Sequence, residues 1–293
     1  MAVFIKRRTT GSVVCPSCGS LVGVRDEKCY SCGRANPGLW GFGPALRQLG
    51  ADLGLVPIVI GGSTLLYLLS LILSGSDVSV IDGFSILSPS VAASKLLGAS
   101  GANPVFIDGA WWTLLSATWL HGGLLHLVFN MMWVRDLGPT SAEIVGPART
   151  VIVYTVSGVC GFLLSSFVSR YVSFQIPFFP AGGFTLGASA SVFGLLGALV
   201  HYGQRSGSSL IHAEAKRYAI ILFVMGVILP GVDNYAHAGG FLGGYATSWF
   251  FNPLTRERGD HMLVAVLCLV ATLLAILASV LTGLDAYLGP RSG

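Results

Sequence analysis

The sequence predicts an all-α polytopic membrane protein with a small metal-binding domain at its N-terminus. Three observations carry this reading. Of 293 residues, 53% are hydrophobic and only 10% charged, whereas a soluble domain carries about a quarter charged residues. Apolar runs of the length that one helical crossing needs, about 20 residues, recur between sparse charges. Four of the six Cys fall within the first 32 residues as two Cys-x-x-Cys pairs. A mean hydropathy of +0.73 excludes an ordinary cytosolic enzyme, a disordered chain and a secreted disulfide scaffold. The formal charge of +4, from 17 Lys+Arg against 13 Asp+Glu, is too small to imply a nucleic-acid partner.

The first element is a zinc-ribbon-like domain over residues 1–36. Its opening residues, Met1 to Arg8, lack an apolar stretch followed by a small-residue cleavage site, which argues against a secretory signal. Cys15-Pro16-Ser17-Cys18 and Cys29-Tyr30-Ser31-Cys32 set four thiolates on two tight turns, each followed by a glycine, Gly19 and Gly33. Four soft ligands from two such knuckles suit a closed, tetrahedral, structural Zn²⁺ site. A redox dithiol and an iron–sulfur site are the competing readings, and paired spacing favours zinc. Cys160 and Cys268 stand alone in apolar runs and read as buried thiols. A Pro/Gly-rich linker follows over residues 37–52, and the membrane domain occupies residues 53–290.

Within that domain, uncharged runs predict seven helices. The first three are Leu53 to Ser76, Trp111 to Val134 and Thr150 to Ser169. A loop containing Pro177, Pro180, Gly182 and Gly183 precedes the fourth, from Leu186 to Tyr202. Tyr218 to Val232 is the fifth, shortened by Pro230; the sixth runs from Asn234 to Phe251 and the seventh from Met262 to Leu284. With the N-terminus in the cytoplasm, 14 Lys+Arg lie on the inner side and three (Lys95, Arg170, Arg291) on the outer side. The positive-inside rule therefore sets the N-terminus in and the C-terminus out, in a multi-pass protein of the plasma membrane.

Ionisable and polar groups inside apolar runs are costly and mark functional sites. The second helix carries His121, His126 and Asn130, the last two at a spacing of four and so on one face. The fourth helix opens with Gly187-Ala188-Ser189-Ala190-Ser191, and the sixth with Asp233-Asn234-Tyr235-Ala236-His237. All three helices enter from the outer side, so Ser189, His237, His126 and Asn130 fall at a similar depth. Ala236, Gly240 and Gly244 on the sixth helix, and Ala190, Gly194 and Ala198 on the fourth, form small-residue ridges that allow close backbone approach in lipid. These residues alone leave two readings open, a polar-lined pathway and a Ser–His hydrolase, with the pathway ahead. A zinc protease is disfavoured, because no His-Glu-x-x-His occurs.

These segments resemble the rhomboid family of intramembrane serine proteases. His121 to Met131 resembles its His-x4-His-x3-Asn element, Gly187-Ala188-Ser189-Ala190 its Gly-x-Ser-x motif, and Ala236-His237-Ala238-Gly239-Gly240 its Ala-His-x-Gly-Gly motif. The resemblance covers about Leu53 to Phe251 and implies a six-helix bundle, here with one added C-terminal helix; the Cys domain lies outside it. It implies Ser189 as nucleophile, His237 as general base, and His126, Asn130 and the Ser189 N–H as the oxyanion hole. His121 would be a structural neighbour, residues 76–109 a partly embedded outer loop, and the fifth helix a lateral gate. The chain departs from the family pattern at Ala190 (commonly Gly), Phe193 (often Tyr), Thr113 (usually Arg) and Glu143 (one residue late). The implied function is cleavage of transmembrane protein substrates in the lipid bilayer, with no cofactor for the chemistry. The alternative is an inactive rhomboid-like module that binds membrane proteins. Loss of Ser189 or His237 would mark it, and both are present. A channel or metal transporter regulated by the Cys domain would need polar groups through the whole membrane thickness, whereas the third and seventh helices carry no charge or His in their interiors.

Overall fold

The computed structural model describes residues 7–15, 18–42, 52, 54–80, 86–172, 183–255, 257 and 259–288. Most of the expected linker, the Pro177–Gly182 segment, Arg256, Arg258 and the C-terminal Gly293 lie outside the described residues. The N-terminal region pairs β1 (Ser12–Val14) with β2 (Leu21–Gly23) in an antiparallel hairpin. Val13, Val22 and Val24 pack with the Cys residues in a core of their own. So small a core needs a staple to persist.

The remainder is helical. α1 (Leu55–Ser74) is followed by a two-stranded hairpin, β3 (Ser79–Val80) and β4 (Ile86–Ser88), and by the short helices α2 (Val91–Leu96), α3 (Ala102–Phe106) and α4 (Thr113–Ser116). The long helices α5 (Leu124–Val145), α6 (Pro147–Tyr171), α7 (Ser189–Ser206), α8 (Ser209–Ile228), α9 (Asn234–Phe251) and α10 (Gly259–Leu288) complete the bundle. Among the described residues seven helices are thus long, in the seven places that the apolar runs predict. Three of them, α1, α6 and α10, are long and apolar enough to cross a membrane by length and composition.

Several boundaries differ from expectation. The second predicted helix starts 13 residues late, at Leu124, and ends at Val145. Gly122-Gly123 breaks the run, so Trp111 to Trp119 forms separate turns and His121 sits in the connection, not on the helix. Arg135 and Asp136 do not end the helix, because they pair with each other on its exposed surface. α7 starts at Ser189 rather than Leu186, which makes Ser189 its first residue. α8 starts nine residues before Tyr218, where the Ser208 hydroxyl caps it by accepting from the Ile211 N–H. It stops at Ile228, two residues before Pro230, which cannot continue a helix.

α9 sits at the centre, packed against both α6 and α7. Its glycines make this possible on two faces. A Cβ at Gly240 would overlap the Ala190 carbonyl and one at Gly244 the Gly194 carbonyl, both on α7. On the other face, a Cβ at Gly239 or Gly243 would press on Cys160 of α6. The small-residue ridges thus meet backbone to backbone. α8 packs mainly on α7, while α10 lies against α6, α4 and α2. The foot of α10 is pinned by Arg149, buried at the start of α6. Its guanidinium donates to the Thr255 carbonyl at 2.8 Å and to His261 Nδ1 at 3.2 Å.

The Gly240 contact yields a stability prediction. Gly240→Leu should force α7 and α9 apart and destabilise the bundle by about 1–3 kcal/mol or more, read as a lower Tm in detergent. Gly61→Ala should leave Tm unchanged or raise it, since nothing lies within 4 Å of that Cβ position. Equal losses at both positions would contradict the packing described.

Candidate active site

The N-terminus of α7 and that of α9 meet at one level. The Ser189 hydroxyl lies 2.9 Å from His237 Nε2. Three residues earlier on α9, the Asn234 side-chain oxygen accepts from His237 Nδ1–H at 3.1 Å. That acceptor fixes the tautomer, because with the proton on Nδ1 the Nε2 lone pair is left to face Ser189. Phe193, one turn along α7 from Ser189, stacks on the imidazole with centroids 4.3 Å apart and planes at 19°. The ring stack therefore survives the absence of a Tyr hydroxyl. Phe193 in turn meets Phe223 of α8 edge-on, which links the site to that flanking helix. The approach of α9 is set by Asp233, whose carboxylate accepts from the Ala236 N–H at the helix start and from Ser165 of α6.

Opposite these residues stands His126. Its Nδ1 accepts from the Gly122 N–H at 3.3 Å, which leaves Nε2 carrying the proton. Gly187 has φ of 127°, a conformation that side-chain-bearing residues rarely adopt, and a Cβ there would stand 2.7 Å from His126 Nε2. The missing side chain lets the imidazole lie against the backbone just before Ser189. Gly187 itself is held by its N–H to the Ala117 carbonyl at 2.9 Å. The first i→i−4 bond of α7 is Val192 N–H to Ala188 O, so the N–H groups of residues 189–191 point out of the helix end. An anion at this spot would meet those N–H groups, the helix dipole and the His126 N–H together.

The remaining expected residues take distinct places. Asn130 shares the α5 face with His126 and donates through Nδ2 to the His126 carbonyl at 2.9 Å, so the amide keeps a second N–H. His121 packs edge-on against His126 at 5.2 Å, from the connection before α5. Ser191 turns away from His237 and donates to the Tyr154 carbonyl of α6. Ala190 belongs to a buried cluster with Phe162 and Ala236, and its methyl lies against Gly161 of α6. The methyl that distinguishes Ala190 from the family's common Gly is thus taken up by that cluster. Asn234 was the residue that motif reading passed over. Its signal was present in the sequence, since an amide three residues before a His on a helix shares its face.

The second candidate site is the Cys cluster. The sulfurs of Cys15, Cys18, Cys29 and Cys32 all lie within 4.8 Å of one another, with Cys15–Cys32 at 3.8 Å and Cys18–Cys29 at 3.5 Å. Zn–S bonds of about 2.3 Å in a tetrahedron require sulfur–sulfur edges of about 3.8 Å, so the donor set fits zinc. The two knuckles have matching backbones: Gly19 N–H bonds to Cys15 O and Gly33 N–H to Cys29 O, with both glycines at φ near +70°. Hydrogen bonds from Ser20 hold the Cys18 thiol low, at about 6, while Cys32, against a lowering bond from the Arg34 backbone, is pushed up to about 11 by burial and the other three thiols.

Comparison with known proteins agrees with the bundle. A rhomboid domain model matches residues 108–254, half of the chain. RHOMBOID-like protein 7 of Arabidopsis thaliana is 34% identical over 167 residues, 55% of this chain and 49% of its own length. The rhomboid protease GluP of Bacillus subtilis is 29% identical over 180 residues, covering 59% and 33%. Inactive RHOMBOID-like protein 8 of Arabidopsis thaliana is 28% identical over 162 residues, covering 54% and 43%. The chain spans about half or less of the length of these relatives. The matched residues take in α5 to α9 with every polar group of the Ser189 cluster, and on that match the chain belongs to the rhomboid family.

Proposed function

We propose that the chain is an intramembrane serine endopeptidase that cuts membrane-protein substrates within or beside a transmembrane helix. One observation carries the reading: Ser189 Oγ lies 2.9 Å from an imidazole nitrogen whose lone pair the Asn234 contact directs toward it. Ser189 attacks the scissile carbonyl carbon while its proton passes to His237 Nε2. The carbonyl oxygen becomes an oxyanion held by the Ser189 N–H, the His126 Nε2–H and the second N–H of Asn130. Collapse of the tetrahedral species expels the amine, which takes the proton from His237 and leaves an ester on Ser189. Water, giving its proton to His237, then attacks the ester; collapse releases the carboxylic acid as His237 returns that proton to Ser189 Oγ. Asn234 accepts from Nδ1 throughout and steadies the imidazolium, as the carboxylate does in a triad, without adding a charge inside the membrane.

We assign the chain to the plasma membrane, and the charge distribution supports the Cys domain in the cytoplasm with the Ser189 level near the outer surface. The four Cys residues would hold one Zn²⁺ that ties two knuckles together and supplies no chemistry at Ser189.

The test uses the chain of residues 1–293 in proteoliposomes with a reporter transmembrane substrate. Ser189→Ala and His237→Ala should each abolish cleavage, and the double variant should lose no more than either, because the two act as one unit. Asn130→Ala should lower kcat by about 10²-fold, the usual cost of one oxyanion donor. Retained cleavage by Ser189→Ala would overturn the mechanism. Binding of the substrate without cleavage by the unaltered protein would establish the inactive binding module instead.

Asn234→Ala should lower kcat by about 10²-fold, comparable to a 1 Å misplacement of a reacting group, with KM little changed. A change in KM alone would contradict the positioning role.

Zinc content gives an independent check. Elemental analysis should find about one zinc per chain, lost in Cys15→Ser/Cys18→Ser, while cleavage in detergent by residues 53–290 should survive chelation. Loss of that cleavage on chelation would contradict a structural role.

A further inference from the structure

The formal charge of the chain is concentrated in one place. Residues 1–36 hold six Lys+Arg and two Asp+Glu, so the entire +4 excess lies there and the rest of the chain is formally neutral. The excess stays positive even with the −2 of a four-thiolate zinc centre. Three of these cations line one groove of about 440 Å³, formed by Arg7, Arg8, Arg25, Asp26, Asn36 and Trp40. The groove is built rather than incidental. Arg7 Nε donates to the Trp40 carbonyl at 2.9 Å, Arg25 Nε to the Thr9 carbonyl at 3.1 Å, and the Arg8 N–H bonds to the Gly41 carbonyl at 2.9 Å. These bonds fix the Nε atoms of Arg7 and Arg25 and the backbone of Arg8, whose Nη1 also donates to the Ser12 carbonyl at 3.4 Å. The single carboxylate on the wall, Asp26, accepts from the Gly23 N–H at 2.7 Å. At one edge the Trp40 indole is 65% exposed, next to the exposed Phe42, over which the Arg7 guanidinium lies.

The groove is tethered to the bilayer. From Phe42 to the first residue of α1 the chain can span at most about 45 Å. A guanidinium cluster matches phosphate oxygens in geometry as well as charge, and an exposed indole beside it suits the headgroup region of a membrane.

We propose that this groove binds the phosphate of an anionic phospholipid headgroup and seats the Cys domain on the membrane surface, with Trp40 and Phe42 at the interface. The phosphate accepts from Arg7, Arg8 and Arg25. The assignment rests on the membrane placement of the bundle and is independent of any proteolysis.

Hydrogen–deuterium exchange of the full chain tests it, in nanodiscs of phosphatidylcholine with and without phosphatidylglycerol. Nanodiscs expose both leaflets, so the result does not depend on orientation, and exchange is read without a substrate. Backbone amides of residues 7–15 and 24–42 should exchange more slowly with the anionic lipid, and high salt should remove the protection. Arg7→Gln/Arg8→Gln/Arg25→Gln should lose it, by about fivefold in apparent affinity per arginine. The corresponding triple Lys variant should retain most of it. Zinc content confirms that each variant keeps its fold. Equal exchange in both lipids, or protection unchanged in the Gln variant, would overturn the proposal. Protection by millimolar inorganic phosphate in phosphatidylcholine discs alone would also overturn it, in favour of a soluble phosphate ligand.

Discussion

The backbone-to-backbone approach of α9 to α6 and α7 is the constraint from which the rest of the structure follows. Lipid tails are as apolar as leucine, so no hydrophobic force draws helices together inside a bilayer. Close contact must come from packing, and packing at this distance leaves no room for side chains at Gly240, Gly244, Gly239 or Gly243. The same approach carries His237 to Ser189, since Ser189 and Ala190 open α7 while Ala236 and His237 lie in the first turn of α9. The glycine spacing and the serine–histidine contact are one geometric fact seen at two places.

Around that contact each polar group has an assigned proton. Asn234 sets the tautomer of His237, and the Gly122 N–H sets that of His126 in the opposite sense. One imidazole thereby offers a lone pair and the other an N–H, on either side of the α7 end. Neutral partners accomplish this without a buried carboxylate, whose desolvation inside a membrane would be costly. Gly187 completes the arrangement by omission, since any side chain there would displace His126.

Much of this was legible in the sequence, for identifiable reasons. Uncharged runs marked the places of the seven long helices among the described residues, three of which are long and apolar enough to cross a bilayer. Small residues at a spacing of four marked the faces of α7 and α9 that meet. Paired Cys-x-x-Cys marked the knuckles. Boundaries were less legible, because charge marks a change of surroundings rather than the end of a helix. Arg135 and Asp136 continue α5 on an exposed face, and α8 carries Glu214 and Arg217 as a surface pair. The start of α7 at Ser189 follows Gly187, whose positive φ goes with a tertiary bond to the Ala117 carbonyl and room for His126, neither of which local sequence encodes. Asn234 was hidden for a different reason: its part in the site is a contact to a neighbour, while motifs name only reacting groups.

The appended parts extend the same logic to the edges of the bundle. α10 is held at its foot by the buried Arg149 and higher up by Ser279 beside Ser116. All of this converges on the reactivity of one hydroxyl among several. Mass spectrometry after reaction of the full chain with a fluorophosphonate that labels activated serines tests it most directly. A single adduct on Ser189 is expected, abolished by His237→Ala and unaffected by Ser191→Ala. An adduct on Ser191, or labelling of Ser189 that persists without His237, would contradict it.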